Sequence, residues 1–142
     1  ISKMRAFNSK HLVITGGEPM IQQKGLQELF ETLKGYSIEI ETNGGFETTI
    51  DQYIHQYNCS PKLKGSGNKP YSLKILPSEK TWYKFVIDSK KDLDEVFVFI
   101  RRNKIPHDRV RLMPQGETQE KSIKKYSIFK KMENVISFSR KA

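Results

Sequence analysis

The sequence predicts an α/β fold built on a parallel sheet. Short apolar runs alternate with segments whose apolar residues recur at helical spacing. Glycine, asparagine and proline punctuate the joints between them. Parallel neighbours need crossover connections, and the alternation supplies them.

The elements follow in order. "HLVIT" (11–15) reads as a buried strand. From Gly25 to Lys34, Leu26, Leu29, Phe30 and Leu33 fall at i, i+3, i+4 and i+7, one face of a helix. Gly35 closes that helix, as a glycine free to adopt positive φ does. "YSIEIET" (36–42) alternates Ile38 and Ile40 with polar residues and reads as a strand. "TTIDQYIHQYN" (48–58) sets Ile50, Tyr53, Ile54 and Tyr57 on one side of a short helix. "LKGSGNKPYS" (63–72) is a loop by composition. "TWYKFVID" (81–88) is a strand. Ser89 with Asp92 three residues on is an N-cap signal. It opens a helix that turns Leu93, Val96, Phe97 and Ile100 inward. "DRVRLM" (108–113) is a strand, "TQEKSIKKYSIFKKME" (118–133) a helix with Ile123, Tyr126 and Phe129 inward, and "NVISF" (134–138) a last strand. No internal repeat or low-complexity tract is visible.

Composition bounds the function. The 142 residues fit one domain, residues 1–142, large enough to bury roughly two-thirds of the surface the unfolded chain exposes. The net charge is +9, and it is uneven: residues 101–142 hold 12 basic and 4 acidic side chains. Such a basic segment suits an acidic partner or plain solubility. The basic helix around Lys121 to Lys131 reads first as a solvated face. A single cysteine, Cys59, excludes an intrachain disulfide, fits a reducing compartment and reads as a small buried hydrophobe. No run approaches the roughly 20 apolar residues of a membrane span, and "ISKMRAFNSK" has no secretory apolar region. His11, His55 and His107 show no metal-ligand spacing. The chain starts at Ile1 and ends on "VISFSRKA", which suggests a fragment or a processed chain.

Four polar turns stand out. "TGGEP" follows the first strand, "ETNGG" (41–45) the second, "SPK" (60–62) the segment after Tyr57, and "MPQG" (113–116) a later strand. In a parallel sheet, turns after strands fall at the carboxyl edge, where ligands bind. Gly16 and Gly17 let backbone approach a small molecule closely. Glu18 offers a carboxylate to a cationic group such as an amine, and Pro19 fits a first helical turn. In isolation, the same four residues also read as a tight strand-to-helix turn with a solvated glutamate.

Taken together, "VITGGEP", "IETNG", "SPK", "YKFV" and "LMPQG" resemble, in order and approximate spacing, the 7-carboxy-7-deazaguanine synthase family of the radical S-adenosylmethionine superfamily. The resemblance covers nearly the whole chain. It implies a partial (β/α) barrel of the radical S-adenosylmethionine type, truncated at the N-terminus. It implies a lyase that contracts 6-carboxy-5,6,7,8-tetrahydropterin to 7-carboxy-7-deazaguanine, in deazapurine biosynthesis. The resemblance places Thr15 against the substrate and Gly16, Gly17 and Glu18 beside the methionine end of S-adenosylmethionine. Ser60, Pro61 and Lys62 would line the cofactor site, and Met113, Pro114 and Gln115 would hold the adenine. Glu41 and Asn43 face the same edge.

The family's cofactors are S-adenosylmethionine, a [4Fe–4S] cluster and Mg²⁺. Three cysteines upstream of "GGEP" hold the cluster in the family, and this chain holds none of the three, so it is expected to be inactive alone. No residue of the chain is assigned as catalytic or as a metal ligand. The resemblance also implies a flavodoxin- or ferredoxin-type reductant, a homodimer, a cytoplasmic location and no membrane. Two alternatives stay open. One is another radical S-adenosylmethionine enzyme, such as an activase. The other is a basic nucleic-acid-binding module, which would need exposed aromatics beside its cations.

Overall fold

In a computed structural model, residues 6, 8–64, 72–74, 76–116, 118, 120–121, 123–124 and 126–127 are described. Five strands form one sheet: β1 (His11–Ile14), β2 (Ser37–Thr42), β3 (Gln56–Cys59), β4 (Thr81–Ile87) and β5 (Val110–Pro114). They pair in the order β1-β2-β3-β4-β5, and every pair is parallel. Helix α1 (Gln23–Glu31) connects β1 to β2, and α2 (Lys90–Arg102) connects β4 to β5.

Sequential order has a geometric consequence. Crossovers between parallel strands are right-handed, so a sheet that always steps the same way receives its helices on one face. The burial pattern agrees. Ile38 and Ile40 of β2, Tyr57 and Cys59 of β3, and Tyr83, Phe85 and Ile87 of β4 are buried. They form one core with Phe30, Leu33, Leu93, Val96 and Ile100 from and beside the two helices. Phe97 is partly buried against that core. Phe85 and Phe99 meet edge to face at 5.6 Å. The alternate residues, Glu39, Glu41, Gln56, Asn58, Trp82 and Lys84, are only half-buried and lie on the opposite face, which is polar.

Local chemistry accounts for the helix ends. Ser89 caps α2, its hydroxyl accepting from the Asp92 N–H at 3.3 Å while the Asp92 carboxylate accepts from the Ser89 N–H at 2.9 Å. Both halves of the capping box are therefore present. Arg101 and Arg102 in the last turn suit the negative end of the helix. The first helix ends earlier than expected: Thr32 is its C-cap, Leu33 is buried just beyond it, and Gly35, at φ +79°, sits in a separate turn before β2 rather than closing the helix.

Three further elements differ from expectation. Residues 48–58 are not a helix. Asp51–Tyr53 make one 3₁₀ turn, and Gln56–Cys59 are strand β3. Ile50, Ile54 and Tyr57 are buried as expected, but pairing with β2 wins over helical spacing because Gln56-Tyr57-Asn58-Cys59 alternates with period two. β1 is not a buried strand. It is an edge of the described sheet, with Val13 45% exposed. Residues 120–121, 123–124 and 126–127 are helical, yet Ile123 and Tyr126 are 59% and 50% exposed instead of inward. Their apolar spacing finds no core to join among the described residues. Phe129, most of the loop expected over 63–72 and the strand expected over 134–138 lie outside the described residues.

The capping box generates a prediction. Ser89→Ala lowers stability by about 1 kcal/mol in urea unfolding. Desolvation pushes the Asp92 carboxyl up, but hydrogen bonds from Asp88 and Ser89 outweigh it and hold Asp92 below the ordinary carboxylate value of 3.8. A carboxyl depressed in the folded state stabilises the fold above its unfolded pKa, and loses that contribution as pH falls through the folded value. The wild type therefore loses stability on acidification below about pH 4 more steeply than Asp92→Asn does.

Candidate functional site

All four polar turns lie at the carboxyl edge of the sheet, because the five strands are parallel and each turn follows its strand. Thr15, Gly16, Gly17 and Glu18 follow β1; Glu41 and Asn43 end β2; Ser60, Pro61 and Lys62 follow β3; Met113 and Pro114 end β5, and Gln115 follows.

The turn after β1 is built on two left-handed glycines. Gly16 and Gly17 sit at φ +97° and +57°, with open space where a side chain would stand. Their backbone therefore faces outward, unshielded. Glu18 caps the 3₁₀ turn Pro19–Gln22 by accepting from the Met20 N–H at 3.1 Å. The same carboxylate accepts from the Thr42 hydroxyl at 2.7 Å and the Asn43 N–H at 2.7 Å. Glu18 is thus a bridge between the first two rim turns. A carboxylate has about four acceptor positions, and three of these are filled from within the chain.

Beyond Thr42 the backbone turns sharply. The Asn43 carboxamide oxygen accepts from the Gly45 N–H at 2.7 Å, and the Thr42 hydroxyl accepts from the Gly44 N–H at 3.1 Å. Gly44 has φ +78°, and a β-carbon there would stand 2.6 Å from both Cys59 Sγ and Leu73 Cδ1. Only glycine fits this position. Cys59 itself is fully buried, and burial, then the nearby Glu18 charge, pushes its thiol up to about 12. It stays protonated and packs as a small hydrophobe, as the sequence suggests.

A cavity of about 360 Å³ opens at the other end of the rim. Ser60, Pro61, Lys62 and Gln115 line it together with Lys84 and Val86. Two turns separated by more than fifty residues therefore share one wall. Gln115 is placed by its N–H, which donates to the Ile87 carbonyl at 2.8 Å. Gly16, Gly17, Glu18, Met113 and Pro114 do not line this cavity. Met113 lies beside it on the open face, 47% exposed and in register with Val86, itself 56% exposed.

The open face carries a polar network that sequence reasoning misses. The Lys84 ammonium donates to both oxygens of Glu41, at 3.1 and 2.9 Å. Glu39, two residues earlier on the same face, accepts from Gln56 at 3.2 Å and Asn58 at 2.9 Å, and meets His11 at 3.2 Å. The Arg111 and Arg109 guanidinium groups stack over Trp82 at 4.2 and 5.1 Å. The signals for Lys84 are its place in "YKFV", one of the stretches that carry the resemblance, and its alternate position in the strand, where a charge points away from the core. His55 accepts from the Ile38 N–H at 3.1 Å. Among the described residues, no three His, Cys, Asp or Glu side chains are grouped to hold a metal ion. No helix among them is long and apolar enough to cross a membrane.

The chain is similar to several known proteins. The chain is 43% identical over 115 residues to the 7-carboxy-7-deazaguanine synthase of Pyrobaculum aerophilum, a match covering 78% of this chain and 52% of that protein. It is 35% identical to the proteins of that name from Rhodopirellula baltica, covering 78% and 50%, and from Aquifex aeolicus, covering 93% and 61%. The chain thus spans about half the length of the curated relatives it matches. Its fold is similar to the crystal structure of QueE from Escherichia coli, with a TM-score of 0.60 and 24% identity over 87% of this chain and 55% of that one. No family model matches the chain.

The tight turn at Gly44 can be tested by stability. Gly44→Ala forces a β-carbon into Cys59 and Leu73 and costs roughly 1–3 kcal/mol. Urea unfolding of the variant measures the loss. Wild-type stability in a folded Gly44→Ala variant would mean that the loop relaxes away from Cys59.

Proposed function

We propose that this chain, which belongs to the 7-carboxy-7-deazaguanine synthase family, supplies the cofactor rim and part of the substrate face of a radical S-adenosylmethionine lyase. That enzyme would contract 6-carboxy-5,6,7,8-tetrahydropterin to 7-carboxy-7-deazaguanine. The observation that carries the reading is the cavity shared by Ser60, Pro61, Lys62 and Gln115 at the carboxyl edge. The sequential, all-parallel strand order supports reading the sheet as part of a (β/α) barrel, since a sheet wound in one direction is the arrangement that can curl and close.

Each residue has a physical task in this reading. The bare backbone of Gly16 and Gly17, with the acceptor position left on Glu18, suits the amine and carboxylate end of S-adenosylmethionine. Lys62 adds a cation at the rim, and Ser60 a hydroxyl. Val86 and Met113 offer a flat apolar surface for a purine, bordered by Pro114 and Gln115. Asn43 orders its own turn and so acts through the backbone. Thr15 and Glu41 serve the substrate. Val13 is level with Glu39, so continuing the register sets Thr15 level with Glu41 on the open face. A carboxylate and a hydroxyl there match the N–H and carbonyl groups of a pterin edge.

S-adenosylmethionine, with a [4Fe–4S] cluster, supplies one-electron chemistry that side chains lack. The residues of this chain do not fit the cluster. Its one cysteine is buried and protonated, whereas cluster ligands are thiolates. Nor do the described residues group to hold Mg²⁺. The same reading includes a flavodoxin- or ferredoxin-type reductant, a homodimer and a cytoplasmic location.

Two measurements test it. The full-length protein, assayed anaerobically with reductant, S-adenosylmethionine and the carboxytetrahydropterin, is expected to release 7-carboxy-7-deazaguanine. Turnover of a glycyl-radical protein instead of the pterin would move the chain to the activase class. The isolated 142-residue chain, reconstituted with iron and sulfide, is expected to hold no stoichiometric cluster. Iron near four per chain (the content of one cluster) with the matching absorbance would overturn that.

A further inference from the structure

The geometry points to Lys84 as a positioning residue that fixes the Glu41 carboxylate at the border between the rim cavity and the open sheet face. This deepens the function proposed above and rests on it.

Lys84 belongs to the best-anchored part of the sheet. Its neighbours in β4, Tyr83 and Phe85, are 5% and 1% exposed, so the backbone that carries it cannot shift without moving the core. Its own side chain points the other way. β3 separates β4 from β2, so the ammonium reaches across a whole strand to meet Glu41. It lies 3.1 and 2.9 Å from the two oxygens, and both side chains are about one-third exposed. Holding a long, strongly hydrated side chain in one such pose costs rotamer entropy. An exposed pair of this kind adds little stability, so the pose is better explained by what it orients.

The contrast with Glu39 is informative. Three groups from β1 and β3 hold Glu39. Glu41 is gripped by one cation approaching from the β4 side. That leaves acceptor positions toward β1, where continuing the register one residue past Ile14 would set Thr15. Lys84 also lines the cavity, beside Ser60 and Val86. One lysine therefore lines the cofactor cavity and aims the carboxylate that would receive the N–H groups of the heterocycle. It holds that carboxylate in one orientation.

The test uses the full-length enzyme with S-adenosylmethionine and the carboxytetrahydropterin. Lys84→Met is expected to raise KM for the pterin about tenfold or more, the equivalent of one misdirected charge-assisted hydrogen bond. S-adenosylmethionine affinity, measured by equilibrium dialysis, should change less than about threefold, since methionine keeps the apolar bulk of the lysine stem against the cavity. Lys84→Arg should restore most of the loss. Adding Lys84→Met to Glu41→Gln should cost nothing further, because both changes remove one interaction. Lys84→Gln, which keeps a polar donor without the charge, carries the same test should the methionine variant not fold. An unchanged pterin KM in a folded variant, or additive losses in the double variant, would overturn the assignment while leaving the proposed function intact. Failure of the wild type to convert the pterin would overturn both.

Discussion

Every strand of this sheet pairs with the next one in the chain and runs the same way. That constraint orders the rest of the molecule. Parallel pairing forces each connection to cross back over the sheet, and a constant step puts the helices on one face. The face that receives them becomes the core. The face that does not is left polar, with Glu39, Glu41, Gln56, Asn58 and Lys84 along it. The same constraint sends every strand-end turn to a single edge. Convergence of the four turns is therefore a property of topology and needs no long-range coincidence in the sequence.

Topology brings the turns near one another, but hydrogen bonds set their spacing. Glu18 joins the first turn to the second through Thr42 and Asn43. The Lys84–Glu41 pair joins β4 to β2 across the open face. The Gln115 N–H ties the fifth strand's turn to the end of β4. Each link spans two elements, and only the first draws on a buried side chain, Thr42. The rim is thus held by polar bridges laid over a rigid apolar base, an arrangement that lets the site be specific without disturbing the packing beneath it.

Much of this was legible in the sequence where a local rule acts alone. Leu26, Leu29 and Phe30 mark a helix by spacing, though it ends at Thr32, short of Leu33 and Gly35, and Ser89 with Asp92 marks the start of α2. The rim turns were legible because glycine and proline at strand ends have few other uses. Legibility failed where a tertiary partner decides. Ile50, Tyr53, Ile54 and Tyr57 satisfy helical spacing, yet β2 offers Gln56–Cys59 a ladder of hydrogen bonds that a single turn of helix cannot match. Ile123 and Tyr126 have inward spacing with no described core beneath them. Lys84 lies inside "YKFV", but its pairing with Glu41 shows only once the strand order places it there. Glu18 reads as an acceptor waiting for a ligand, although three of its acceptor positions are filled at home.

The cysteine illustrates how far packing can explain a residue that chemistry tempts one to claim. Cys59 ends β3 on the core face, where its thiol is fully buried. Gly44 turns above it, and a β-carbon at Gly44 would lie 2.6 Å from Sγ. The two residues are small for the same reason: each leaves room for the other. A longer side chain at position 59 would push out the turn that carries Asn43, and with it one of the three bonds to Glu18. Burial and the Glu18 charge together keep the thiol protonated, so the group is withheld from metal and from redox chemistry by the packing that makes it useful. The residue contributes to the rim by its volume. Thiolate ligation would have to come from residues placed where water and iron can reach them.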